Sequence, residues 1–204
     1  YLTKGDINPK ITPDPVFSFN QNISPKLIIS KDDIIKKYNL PENYVLLSIF
    51  RPIISNQWVD ELESLFKNDN QTLIFLPKAN SISFKPSIVK DIKLPIPPLD
   101  WYFLIKYSSG YIGELMHPIL VSLHNSVPIF SIDTYGFTNQ GKVDVNSSKI
   151  LHILNRFSLL DNVYNINSKQ SIPSADYVYK MIKTFNKNKC AKEASKCLEE
   201  YENM

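Results

Sequence analysis

Arginine is nearly missing from this sequence: of 23 basic residues, only Arg51 and Arg156 are arginines and the rest are lysines. Together with heavy use of asparagine and isoleucine, this suggests AT-rich coding rather than a functional basic patch, and it makes each arginine informative. The net charge of +3 is too small to argue for nucleic acid. No lysine run with interleaved aromatics marks a base-stacking surface, so no nucleic-acid partner is expected. Cysteine is equally scarce. Cys190 and Cys197 are seven apart on one face of an expected helix, which suits two buried thiols better than a disulfide. Two cysteines cannot make a zinc site alone, and no metal or cofactor is expected. The implied compartment is reducing, hence the cytoplasm, with the inner membrane surface as the alternative station. Nothing approaches the ~20 apolar residues of a membrane span, so none is expected. Glycine numbers only 5, which leaves no Gly-rich phosphate loop. Ser-His-Asp spacing and a hydrolase-like carboxylate pair are also lacking.

What is present is a globular composition, 43% hydrophobic with 12% aromatics in 204 residues. That is enough to bury roughly 70% of the unfolded surface in one good-sized domain. Four of the five glycines and two of the three histidines fall between residues 110 and 141. Within that stretch Tyr111–Gly113 reads as a short buried strand, and His117–Pro118 opens a helix, where proline's missing N–H costs nothing. Ile119, Leu120, Val121 and Leu123 make the helix apolar on most sides. Asn125–Ser126 ends it, and Val127–Ile132 is a second buried strand. Strand–turn–helix–strand is the repeating piece of a parallel α/β sheet. In open α/β sheets anionic ligands bind at this kind of turn, beside the free N–H groups of a helix N-terminus.

The chain begins at Tyr1 and runs at once through Gly5, Pro9, Pro13, Pro15 and Pro25. We read 1–25 as a linker or the end of a missing N-terminal domain, with Val16–Phe19 as a docking patch, and 26–204 as a Rossmann-like domain with C-terminal helices. Ser30 caps a helix carrying Ile34, Ile35 and Tyr38, stopped at Leu40–Pro41. Tyr44–Phe50 is the first central strand. Ser55 caps a helix with Trp58, Leu62, Leu65 and Phe66 on one stripe, and Thr72–Leu76 is the second strand. The proline-rich stretch that follows leaves room for one short strand within Val89–Leu94, and Pro97–Pro98 starts a helix. After the central unit, 134–146 reads as a polar loop. Next come a helix bearing Ile150, Ile153, Leu154 and Phe157, an edge strand at Val163–Ile166, a helix bearing Tyr177, Val178, Met181, Ile182 and Phe185, and a last helix over 188–203. The last of these should bury Cys190, Ala194, Cys197, Leu198 and Tyr201. The expected architecture is a doubly wound, mostly parallel α/β sheet.

Each candidate site residue carries two readings. His117, where strand hands over to helix, is either a ligand group or an N-cap-like residue. Glu114 is a ligand contact or an acid answering the positive helix end, worth about 0.3–1 kcal/mol without any ligand. Asp133, Tyr135 and Gly136 follow a strand's carboxyl end, where ligand loops belong, although aspartate and glycine are also ordinary turn residues. Lys78 ends a strand on the same rim. Ser108-Ser109-Gly110 either offers hydroxyl and N–H groups to a phosphate or terminates the preceding helix. His124 reads as a buried structural histidine, and His152 has no nameable partner.

The turn Gly113-Glu114-Leu115-Met116-His117-Pro118 and the following Val127-Pro128-Ile129-Phe130-Ser131-Ile132-Asp133-Thr134-Tyr135-Gly136 resemble the C-terminal half of the polysaccharide pyruvyl transferase family. The likeness extends to Asp14-Pro15-Val16-Phe17, Lys36-Lys37-Tyr38-Asn39-Leu40-Pro41 and Ser147-Ser148-Lys149-Ile150. It implies a GT-B-like fold and a transferase of exopolysaccharide or cell-envelope synthesis. The implied donor is phosphoenolpyruvate, the acceptor is a glycan or lipid-linked glycan, and a missing N-terminal domain completes the cleft, so that the fragment alone is inactive. His117 matches the family's donor-binding histidine and becomes the catalytic candidate. Arg51, Lys78, Ser109, Glu114, Asp133, Tyr135 and Gly136 join it as the donor-binding set. The family arginine falls at position 115, which is leucine here. In the strand order 3-2-1-4-5 the first and fourth strands are neighbours, so Arg51 is expected to take that arginine's place. Two other readings stand beside this one: a GT-B glycosyltransferase using a sugar nucleotide, and a non-catalytic binding module of the same fold.

Overall fold

The computed structural model describes residues 13–50, 54–77, 90–139, 142–168 and 171–203. Strands β1 (Tyr44–Ser48), β2 (Thr72–Phe75), β3 (Lys90–Asp91), β4 (Gly110–Gly113) and β5 (Ile129–Asp133) belong to one sheet. Two short strands, β6 (Thr138–Asn139) and β7 (Lys142–Val143), form a separate antiparallel hairpin. The sheet is completed by β8 (Val163–Asn165), and its order is β3-β2-β1-β4-β5-β8 with every pairing parallel. This is the doubly wound α/β class, with β1 and β4 side by side as the order 3-2-1-4-5 requires.

Helices cover both faces, so the strands are buried on both sides. Along β1 the side chains alternate: Tyr44 and Leu46 enter one core, Val45 and Leu47 the other. The first core is closed by α2 (Lys31–Tyr38), α4 (Pro98–Lys106), α5 (Met116–His124), α6 (Lys149–Arg156) and α8 (Lys187–Glu202). The second is closed by α3 (Asn56–Asn68) and α7 (Ala175–Lys183). Four of these helices start in the same way. Ser30, Ser55, Ser148 and Ser174 accept the backbone N–H three residues on, at Asp33, Trp58, Leu151 and Tyr177. At the other end α2 stops at Asn39, whose φ of 50° is left-handed.

Several local expectations shift. On α3 the buried stripe is Val59, Leu62, Glu63 and Phe66, with Trp58 and Leu65 only partly covered. On α8, Cys190, Ala194 and Cys197 are buried while Leu198 and Tyr201 are half-buried. Both cysteines are free thiols, and Cys190 Sγ lies 3.4 Å from the Leu123 carbonyl it donates to. The loop expected over 134–146 contains the β6–β7 hairpin.

Of the segment 1–25 expected to precede the Rossmann-like domain, residues 13–25 are described. Pro15–Ser18 forms a 3-10 turn that packs on α5 and α8, followed by the one-turn helix α1 (Phe19–Asn22). Phe17 is 1% exposed, stacked on Phe157 at 5.9 Å and edge-on to His124 at 6.0 Å. A ring buried this deeply contributes several kcal/mol, so the Val16–Phe19 patch packs against the helices that follow.

Candidate functional site at the carboxyl edge

The strand order reverses between β1 and β4, and the crevice of such sheets opens there. Two residues build its floor. A Cβ on Gly113 would lie 2.7 Å from the Ser48 carbonyl oxygen, so only glycine permits this approach of β4 to β1. Next, the Glu114 N–H donates to that same carbonyl at 3.1 Å. The Glu114 side chain, 7% exposed, turns across the strand gap, and its Oε1 accepts the Phe50 N–H at 2.5 Å. Its carboxylate therefore ties the exits of the two strands together.

From there the chain enters α5. Leu115 is the N-cap, its side chain makes no capping hydrogen bond, and the first turn holds no acidic residue. The contrast with α4 is instructive. There Asp100 sits in the first turn, buried, with Lys37 Nζ at 2.5 Å and the Tyr38 hydroxyl at 2.5 Å. Burial alone would push the Asp100 pKa up, but Lys37 and Tyr38 outweigh it and hold it below the usual carboxylate range. The positive end of α4 is answered from within the protein, whereas the first turn of α5 supplies no such acid. His117 stands on that turn, exposed, as the second helical residue and not the cap.

Beside His117 runs a groove of about 770 Å³, walled by Leu94, Trp101, Tyr102, Leu115, Met116 and Pro118. The proline-rich run before α4 was the sequence signal for it, but that run has no periodicity to say which side chains would converge.

On the neighbouring strand exit, Asp133 is wholly buried. Its Oδ1 accepts the Tyr135 N–H at 3.2 Å, and its Oδ2 accepts the Gly136 N–H at 3.0 Å, the Ser148 hydroxyl at 3.0 Å and the Asn165 amide at 3.2 Å. Gly136 is buried against this cluster, and a Cβ there would lie 2.2 Å from Asp133 Oδ2. The carboxylate thus holds the loop from inside. Tyr135, by contrast, is 70% exposed.

Of the expected donor-binding set, then, Glu114, His117, Asp133, Tyr135 and Gly136 gather on one rim. Ser109 does not join them. It precedes β4, its N–H donates to the carbonyl of Tyr44 at the start of β1 at 2.7 Å, and it lies on the amino edge. A strand of four residues separates the two edges, roughly 13 Å, so Ser109 cannot share a small ligand with His117. Arg51 and Lys78 follow the exits of β1 and β2 in sequence and lie outside the described residues. His152 is exposed on α6. His124 is half-buried between the Phe17 and Tyr102 rings, and burial, helped by Lys106, pushes its pKa down to about 4. Among the described residues, no group of three His, Cys, Asp or Glu is placed to hold a metal ion, and no helix is long and apolar enough to cross a membrane.

No protein-family model and no curated protein matches the chain. Among solved structures, it is similar to Methanocaldococcus jannaschii UDP-GlcNAc 2-epimerase, solved with UDP-GlcNAc and UDP, with a TM-score of 0.54 and 10% identity over 93% of this chain and 54% of that one. It also matches the glycotransferase of kitacinnamycin, with a TM-score of 0.46 and 12% identity over 79% of this chain and 39% of that one. A third is the N-terminal domain of Candida albicans trehalose-6-phosphate phosphatase, with a TM-score of 0.47 and 9% identity over 95% and 45%. The chain spans about half the length, or less, of these structures. At such identities the likeness shows the fold alone. That fold is a Rossmann-like α/β domain of the GT-B type.

Proposed function

We propose that this chain is the donor-binding half of a GT-B-type transferase that moves a pyruvyl group from phosphoenolpyruvate to a glycan or glycan precursor. The observation that carries the reading is the first turn of α5, whose N-cap Leu115 makes no side-chain capping bond and which holds no acidic residue, with His117 exposed on it at the strand-order reversal. Phosphoenolpyruvate brings a carboxylate and a phosphate, and both call for N–H donors and positioned cations. In the reaction two acceptor hydroxyls bond to the donor's C2, the C2–O bond to phosphate breaks, and C3 gains a proton to become the methyl of a cyclic ketal. Two protons leave the hydroxyls, one ending on C3 and the other on phosphate. In this reading His117 holds the donor phosphate and carries one of those protons. Arg51 supplies the fork for a carboxylate or phosphate that Leu115 cannot, with Lys78 as a second cation. Glu114 positions the rim, and Asp133 with Gly136 shapes the adjoining loop.

The likeness to an epimerase solved with UDP-GlcNAc and UDP favours a second reading, in which the same rim holds a sugar nucleotide. Calorimetric titration of the chain with phosphoenolpyruvate, UDP and UDP-GlcNAc separates the two. The expected result is binding of phosphoenolpyruvate that is lost in His117→Ala at an unchanged melting temperature, and weakened at least about tenfold in Arg51→Ala, the scale of one charge-assisted contact. Binding of UDP or UDP-GlcNAc without phosphoenolpyruvate would transfer the conclusion to sugar-nucleotide chemistry. Binding of none would leave a non-catalytic module of the same fold.

A further inference from the structure

Both ends of α5 meet the same N-terminal turn. At the last residue of the helix, the His124 ring lies 6.0 Å from the Phe17 ring and 6.3 Å from that of Tyr102. Its Nε2 is buried, and among the described residues it has no hydrogen-bond partner. At the start of the helix, Phe19 joins Leu115, Met116 and His117 in walling the groove. The turn Pro15–Ser18 and the short helix after it span the two as one stiff piece. The Phe17 N–H donates to the Asp14 carbonyl at 3.1 Å, Ser18 Oγ to the Pro15 carbonyl at 2.9 Å, and the Ile23 N–H to the Phe19 carbonyl at 3.0 Å. Phe17 and Phe19 therefore dock or leave together.

The surroundings of His124 hold no counter-charge for an imidazolium. From α4 come the Tyr102 hydroxyl, bonded to Asn20 Oδ1 at 3.2 Å, and Lys106, whose Nζ lies 3.4 Å from the same oxygen. Lys106 is itself a cation and disfavours a second one at His124. From α8 comes Cys190, a thiol whose pKa burial pushes up to about 12 and whose Sγ donates to the Leu123 carbonyl. Arg156 of α6 is paired with Glu193 of α8 at 3.7 Å. On the docked turn, the Asp14 carboxylate accepts the Val16 N–H at 3.0 Å. Strands β4 and β5 carry no charge before Glu114 and Asp133, at their carboxyl ends. We infer that His124 is a pH latch on the N-terminal turn: its protonation releases Phe17, and with it the Phe19 wall of the groove beside His117. A neutral imidazole suits two ring neighbours, whereas an imidazolium with nothing to accept from Nε2 gains by meeting water, which the departure of Phe17 allows. Burial lowers the His124 pKa from 6.5 to about 4. Below 6.5 the released form takes up the proton and the docked form does not, so docking weakens as pH falls toward 4. The latch needs no ligand and stands or falls apart from the transferase reading.

Backbone hydrogen exchange between pH 7 and 5, corrected for its intrinsic pH dependence, tests the latch. The Phe17 and Ile23 amides should be protected at least about tenfold less than those of β1 and β5, as release short of global unfolding requires. Their protection should fall at least about fivefold over that range, against a ceiling of about twentyfold for one proton titrating between the two pKa values. It should not fall in His124→Phe. Equal protection of turn and strands, no pH dependence, or the same fall in His124→Phe overturns the latch. A reciprocal measurement needs no His124 variant, because docking and protonation are linked. In Phe17→Ala the NMR titration of the His124 ring should move up by about one pH unit or more, and an unmoved titration overturns the latch. The Trp58→Phe chain keeps Trp101, in the groove wall, as its one indole. Its emission should redden from pH 7 to 5 and hold steady once His124→Phe is added. Constant emission while the turn is released would overturn the link to the groove.

Discussion

The Glu114 carboxylate accepts the backbone N–H of Phe50, 64 residues earlier in the chain, at 2.5 Å. One residue closes β4 and the other leaves β1, so this bond joins the two strand exits at the reversal of strand order. It means that the turn leading to His117 and the chain leading to position 51 are referenced to each other by a buried side chain. Its distance from ordinary helix-end electrostatics is large: the acid near α5 is engaged across the sheet.

Replacing Glu114 with alanine should therefore cost stability, about 1–3 kcal/mol for a buried N–H that loses its acceptor. Glu114→Gln, which keeps an acceptor oxygen, should cost less than half as much. Urea unfolding of the three proteins measures this. Equal stability of all three would show that the bond does not hold the rim.

Gly136→Ala should be strongly destabilising, although a glycine-to-alanine change at a permissive site stabilises by about 0.4–1 kcal/mol. The added Cβ would meet Asp133 Oδ2 at 2.2 Å and Leu151 Cδ1 at 2.4 Å. Overpacking of this kind costs ~1–3 kcal/mol. Asp133→Ala, which strips four donors of their acceptor, should lower the melting temperature at least as far. A melt unchanged in either variant would contradict the role of Asp133 in holding the turn at Tyr135 and Gly136.

Stability should also fall on mild acidification. His124 has a folded-state pKa of about 4 because burial disfavours the imidazolium, below its ordinary 6.5. Between those values the unfolded chain binds the extra proton and the folded chain does not. The contribution is thus fully present above pH 6.5, is lost progressively as pH falls toward 4, and levels off below it. Urea midpoints measured from pH 7 to 4 should decline, and His124→Phe should flatten that part of the slope. A wild-type profile already flat from 6.5 to 4 would refute the assignment.

Much of the architecture was legible in the residues because it is decided locally. Serine caps at 30 and 55, the apolar runs of β1, β2 and β5, and the strand–helix–strand unit around His117 depend on neighbours a few positions away. The parallel class followed from their alternation, and the adjacency of β1 and β4 from the commonest order of such sheets. What the tertiary structure alone decided is which way each polar residue turns. Asp133 and Tyr135 are two apart on one rim, yet one is wholly buried and the other largely in water, because Ser148 and Asn165 arrive from distant parts of the chain to satisfy the first. Ser109 has the composition of a phosphate-binding turn, but strand direction assigns it to the amino edge. Phe17 sits in a proline-rich stretch with linker character, and only the meeting of α5, α6 and α8 creates the pocket that makes it core. Short-range preferences select elements; long-range pairing selects which of their faces and ends meet, and a binding rim is made entirely of such meetings.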